Sequence, residues 1–190
     1  LNPWSGDPEI GLAVRSGGIG YDRLRPLDTY GWWYARAAAW MTARALPRSL
    51  LMFALAGVAL PLLGLGDWAW KPPADLVQAG MFAISLVLVV VLSSAFVMLM
   101  NIVSVALMDE RGVTTLVAAL LIPLSGNLIP LPLYPDGLQT FLLLQPFASF
   151  LDIPLRIYFG GLAGPAALGG LALQVFWAMV FIALGRAWLA

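Results

Sequence analysis

Residues 76–108 read LVQAGMFAISLVLVVVLSSAFVMLMNIVSVALM, a run of 33 residues without a single charge. As a helix it would extend about 50 Å at 1.5 Å per residue. A bilayer's hydrocarbon core is only about 30 Å thick, so the helix must tilt strongly or project beyond the membrane. Three further uncharged apolar runs flank it: Ser49–Gly66, Val113–Leu131 and Ala163–Leu184. Pro61 interrupts the first, which a membrane helix tolerates. The sequence therefore predicts an all-α integral membrane protein with four transmembrane helices, at about 49–66, 76–108, 113–131 and 163–184.

Composition points the same way. Hydrophobic residues make up 61% of the 190 residues and charged residues 11%; ordinary soluble domains carry roughly 25% charge. Too little charge is present to cover a surface in water, so lipid must be the solvent.

The same count excludes several kinds of chemistry. There is no Cys and no His, which removes disulfides, thiolate or His-ligated metals, Cys nucleophiles and Ser-His-Asp triads. Ten acids balance ten bases, so bulk charge gives no case for nucleic-acid binding. The lone lysine, Lys71, follows Trp70 with no glycine-rich loop before it, so the chain holds no ATP-binding P-loop. Nor does any span carry a mid-membrane acid or base of the kind that ion-coupled carriers use as relay or ligand. Neither a catalytic residue nor a bound cofactor or metal is expected in this chain. Transport powered from outside it remains.

Charge placement predicts orientation. Arg15, Arg23, Arg25, Arg36, Arg44 and Arg48 precede the first apolar run, and Arg111 and Arg186 fall on the same side. Lys71 and Arg156 fall on the other, together with Asp67, Asp75, Asp136 and Asp152. By the positive-inside rule the arm (residues 1–48), the 109–112 turn and the C-terminus are cytoplasmic. Trp68 and Trp70 would belong to the outer aromatic belt and Trp188 to the inner one.

Within the arm, Asp28 is a candidate N-cap for a helix over 29–46. Arg36, Trp40, Arg44 and Arg48 recur every four residues, the profile of a helix lying at the inner interface with its arginines toward phosphates; a plain positive-inside flank accounts for the same pattern. The cluster Tyr21-Asp22-Arg23-Leu24-Arg25-Pro26-Leu27-Asp28 reads either as a solvated loop or as a docking element for a cytoplasmic partner. Segment 132–160 is apolar but broken every few residues by Pro or a charge, and suits short helices that dip into the outer leaflet and return. Backbone of that kind at membrane depth needs protein or a water-filled cavity around it.

Two stretches carry a family likeness. One is Ser16-Gly17-Gly18-Ile19-Gly20-Tyr21-Asp22-Arg23-Leu24-Arg25-Pro26-Leu27. The other runs from Leu124-Ser125-Gly126-Asn127-Leu128-Ile129-Pro130-Leu131 through Tyr134-Pro135 to Gln145-Pro146-Phe147-Ala148 and Pro154-Leu155-Arg156-Ile157-Tyr158-Phe159-Gly160. From about Ile10 onward the chain resembles the ABC type-2 permease family, most closely its bacterial multidrug or antibiotic exporter branch. The resemblance implies a permease subunit of an ABC exporter in the bacterial inner membrane. A second permease half, identical or not, and cytoplasmic ATPase subunits holding ATP and Mg would be its partners. It further implies that residues 18–28 dock the ATPase, with Tyr21, Asp22, Arg23, Arg25 and Asp28 as candidates, and that residues 133–160 form the outer gate. Six membrane helices are usual in that family and four are visible here; with a cytoplasmic arm, this makes a chain truncated at its N-terminus the expectation.

Several polar residues remain open between packing and transport. Ser94, Asn101 and Ser104, with Ser93 nearby, share roughly one face of the second span and either bond between helices or line a path. Gln174 in the last span poses the same choice, with the interhelical bond favoured. Ser125 and Asn127 flank Gly126 between Pro123 and Pro130, a kink that could gate, and Pro146 and Phe147 join them as gate candidates. Asp152 and Arg156 have helix ion-pair spacing despite Pro154. Gly160, Gly164, Gly169 and Gly170 form small-residue surfaces suited to close helix packing or a dimer seam. The competing readings of the whole chain are a non-transporting membrane scaffold or assembly subunit and an uncoupled channel.

Overall fold

The computed structural model describes Leu12, Ser16 and residues 28–189. Among the described residues every regular element is helical. Three helices are long and apolar enough to cross a membrane: α1 (Thr29–Leu62), α2 (Leu76–Leu107) and, last in the chain, α6 (Pro165–Leu189). Between them lie α3 (Glu110–Leu124), α4 (Asp136–Leu144) and α5 (Asp152–Tyr158).

Helix α1 starts where the sequence placed its cap, with Asp28 Oδ2 accepting from Gly31 N at 3.1 Å. It then runs 34 residues, about 51 Å at the helical rise. The expected interfacial helix and first span are therefore one continuous rod. Pro47 sits inside it without ending it; a proline forfeits one backbone bond, and the uninterrupted helix-forming run on either side carries the chain through. A single π-helical turn, Leu55–Ala59, follows. The stop is chemical: Gly64 takes φ +76°, its N–H bonds Pro61 O, and Leu65 N bonds Leu60 O, the paired bonds of a Schellman cap that glycine enters without strain. The chain returns through a short turn at Gly66–Trp68, and Trp70 N donates to Ala56 O at 2.8 Å, filling a carbonyl near the π-helical turn. Among the described residues, burial on α1 concentrates in its first part. Tyr30, Trp33, Ala37 and Met41 are buried at helical spacing against Val97, Met98 and Ile102 of α2, while most residues beyond Thr42 are exposed.

Helix α2 occupies the stretch expected of it and forms the centre of the molecule. Its start is held reciprocally: Asp75 Oδ1 accepts from Gln78 N at 2.7 Å and Gln78 Oε1 accepts from Ala74 N at 3.0 Å, a form of capping box. It ends at Met108, a non-glycine residue at φ 54°, and Asp109 at once caps α3 by accepting from Gly112 N at 2.9 Å.

The third apolar run differs from its expected span. Helix α3 has 15 residues, about 22 Å, against the 113–131 anticipated. Gly126 at φ +81° turns the chain, and Pro130 and Pro132 deny the next segment the donors a helix needs. Beyond it come a turn at Leu131–Leu133, α4, a tight helical stretch at Pro146–Phe150 and α5. These are the short broken helices that the proline spacing suggested.

Helix α6 opens with Pro165 at its first position, where a proline's missing donor costs nothing. It packs along α2, with Leu92 and Ala95 meeting Ala178 and Phe181 in one buried cluster. Two glycines allow close approach. A Cβ on Gly170 would stand 3.0 Å from Ile153 Cγ2, and one on Gly185 would stand 2.6 Å from Tyr30 Cε2. Between helices in lipid, packing of this kind replaces the hydrophobic effect as the source of cohesion.

Candidate functional site

The broken segment between α3 and α6 has many helix ends, and each leaves carbonyls without a partner. Side-chain amides and an indole from distant parts of the chain supply the donors. Gln145 Nε2 bonds Leu124 O, at the end of α3, at 2.6 Å. Trp177 Nε1, from α6, bonds Leu144 O, at the end of α4, at 2.9 Å. Gln174 Nε2, also from α6, bonds Ser149 O at 2.9 Å. Gln78 Nε2, from the first turn of α2, bonds both Ile157 O and Tyr158 O, at the end of α5, at 2.8 Å. Tyr158 returns the connection by donating its hydroxyl to Lys71 O.

Apolar contacts fill the space between these bonds. Phe147 lies edge-on to Phe96 of α2, with centroids 6.0 Å apart, and stacks near Phe150 at 6.5 Å. Phe96 also meets Phe181 at 5.5 Å, and Trp177 meets Phe181 at 5.9 Å. The hairpin formed by this broken segment is thus seated on α2 and α6 by a ring cluster and by side-chain donors on helix-end carbonyls. Helix α5 adds the expected ion pair, Arg156 Nη1 to Asp152 Oδ2 at 3.5 Å. Asp152 is buried, and that burial pushes its carboxyl above the usual range, with the Arg156 charge opposing.

The residues singled out from sequence fall into different settings. Ser94, Asn101 and Ser104 are all buried within this chain, on the part of α2 that packs against α1. Ser94 Oγ returns its hydrogen to Val90 O at 2.7 Å, whereas Asn101 Nδ2 and Ser93 Oγ are buried without a partner. Ser125 is buried with its hydroxyl on Ile122 O at 3.2 Å, and Asn127, two residues on, is exposed. Pro146 and Phe147 are half-buried in the hairpin. In this conformation the seven do not line one open surface. Asp28 is accounted for as the cap of α1; Tyr21, Asp22, Arg23 and Arg25 lie outside the described residues.

Gln174 meets the expectation of an interhelical bond, accepting from Ser85 Oγ at 3.1 Å. Gln78, Gln145, Trp177 and Ser85 were not anticipated. Their signal was present for Gln78, a glutamine three residues after an Asp N-cap, and for Ser85, an isolated polar residue in an apolar helix. Among the described residues no cluster of acids could hold a metal ion.

The model of the ABC-2 family transporter proteins matches residues 6–190. The chain belongs to the ABC-2 transporter family. As an ABC-2 protein with helices of membrane-crossing length, it is a multi-pass membrane permease component, and membership implies association with ABC ATPase partners. No curated protein and no solved structure matches it.

Proposed function

We propose that this ABC-2 chain is the membrane-spanning subunit of an exporter in a bacterial inner membrane, paired with a second permease half and driven by separate ATPase subunits that bind ATP and Mg. The observation that carries the reading is the seating of the broken segment on α2 and α6. Irregular backbone at membrane depth has a purpose where protein or a water-filled path covers it, and here the carboxyl ends of α3, α4, α5 and the 146–150 stretch each meet a side-chain donor. Residues 133–160 then serve as the gate on the outer side, with Ser125, Asn127, Pro146 and Phe147 at its moving parts. The arginine-rich arm and the C-terminus are cytoplasmic on this reading. Tyr21, Asp22, Arg23 and Arg25 dock the ATPase, while Asp28 fixes the start of α1 behind them.

The test is complex assembly in the Arg25→Glu variant. Its membrane insertion should match that of the parent, and ATPase recovered with it should fall severalfold. Normal assembly would remove the docking role, and a parent that never co-purifies with a P-loop ATPase would remove the exporter reading altogether.

A second reading, a non-transporting scaffold, draws on the burial of Ser94, Asn101 and Ser104, which leaves the polar face of α2 dry. ATP-dependent substrate movement into inverted vesicles separates the two, since a scaffold gives none. Flux without ATP would instead mark an uncoupled channel.

A further inference from the structure

Two arginines on α1, Arg44 and Arg48, form no ion pair among the described residues. Both are exposed, one helical turn apart. Like charges four residues apart on a helix repel, so the pair is unfavourable unless an anion joins it. Arg44 is also held in place, its guanidinium carbon 4.4 Å from the centre of the Trp40 ring; such a cation–π contact orients the fork outward at little entropic cost.

Depth along α1 identifies the anion's setting. From Ser49 to Leu62 α1 is uncharged over 14 residues, about 21 Å of helix, and the turn through Gly66 stays uncharged; a helix shorter than the hydrocarbon core of about 30 Å draws its flanking arginines to the interface by snorkelling. Asp67 and the exposed Trp68 stand at one end of that run, so Arg48 stands at the opposite boundary, with Arg44 and Trp40 just beyond it at headgroup level. On the membrane side of Arg48 the same helical face continues as Leu51, Leu55, Val58 and Leu62, at steps of three and four and all exposed. A polar anchor for a phosphate thus leads directly into an unbroken apolar strip.

We propose that Trp40, Arg44 and Arg48 bind the phosphate headgroup of an anionic phospholipid whose acyl chain lies along Leu51, Leu55 and Val58. Charge complementarity selects the anionic headgroup, and the apolar strip selects a lipid over free phosphate. The site rests on α1 crossing the bilayer and is independent of transport.

The test uses the full-length protein with whatever subunits accompany it, delipidated and offered equal phosphatidylglycerol and phosphatidylethanolamine, with bound lipid counted by native mass spectrometry. The parent should prefer phosphatidylglycerol, and the R44Q/R48Q variant should lose that preference by roughly tenfold or more. R44K/R48K, which keeps the charge, should retain it, as should R111Q, which removes an exposed base elsewhere. Excess inorganic phosphate should leave the bound lipid in place. Undiminished preference in R44Q/R48Q, an equal loss in R111Q, or displacement by inorganic phosphate would each overturn the proposal, the last by showing a headgroup-only site.

Discussion

Ser85 on α2 donates its hydroxyl to Gln174 Oε1 on α6 at 3.1 Å, and the same amide passes its own hydrogen to Ser149 O in the hairpin at 2.9 Å. One fully buried glutamine therefore joins three parts of the chain. A Gln174→Leu substitution keeps the volume and removes both bonds, leaving a buried carbonyl bare; we expect a loss of about 1–3 kcal/mol. Ser85→Ala removes one bond and should cost about 0.6 kcal/mol, the average for such bonds between membrane helices. Thermal unfolding in detergent of the two single variants and the double variant checks this. The double variant should cost less than the sum of the singles, because the groups share one network; simple additivity would show that the two residues act separately.

Gly185 and Tyr30 meet with no room for a methyl group. Gly185→Ala should cost about 1–3 kcal/mol through overpacking. Tyr30→Leu in the same chain should recover part of that loss, since a smaller side chain vacates the space. Melting temperatures of the three variants provide the measurement, and an alanine variant as stable as the parent would show that the helices separate freely there.

The Asp152–Arg156 pair makes stability depend on pH. Burial raises the Asp152 pKa, so its protonated form is the better folded one. That contribution is complete below the ordinary carboxylate pKa and is lost as pH rises through the raised value. Asp152→Asn stays neutral throughout. It should melt at or above the parent at neutral pH, and its advantage should shrink on acidification. Arg156→Ala strands the buried carboxylate and should cost about 1–3 kcal/mol at neutral pH, with recovery in acid. Melting curves from pH 4 to pH 8 would reveal either trend, pH limits here being about the carboxylate-to-neutral window.

Gly126 turns the chain at φ +81°, with Leu131 Cγ 3.1 Å from where a Cβ would lie. Gly126→Val combines backbone strain with that clash, for which about 1–3 kcal/mol is expected. Hydrogen exchange should quicken across residues 121–134 and remain unchanged in α6. Protection equal to the parent's would mean that the turn does not need glycine.

Much of this architecture was legible because its determinants are local. Asp28 announced the start of α1, the uncharged run 76–108 announced α2, and the prolines between 130 and 154 announced a broken segment. Helix α1 reads as two pieces in sequence because basic residues give way to apolar ones after Arg48, whereas the fold carries one rod through Pro47, where a proline removes one bond without redirecting the chain. The shortness of α3 was hidden because apolarity continues past Gly126 while helical geometry does not. The hairpin's attachments were hardest to foresee. Gln145 reaches back 21 residues and Gln78 forward 79, and only the fold shows which carbonyl each amide meets. Of the candidate gate, the kink at Ser125–Asn127 was visible in sequence, but the burial of Ser94, Asn101 and Ser104 was not.

The continuity of α1 has a mechanical meaning. A helix clamped over its first dozen residues and loose over the rest is a lever, and a small rotation at Tyr30 or Met41 is magnified toward Leu62. Two places yield before the rod as a whole does, the missing bond at Pro47 and the underwound π-helical turn at Leu55–Ala59. Trp70, resting edge-on against Phe53 and bonded to Ala56 O, takes hold beyond the first of these joints. Whatever stiffens Pro47 should therefore sharpen how faithfully movement at one end of α1 is reproduced at the other.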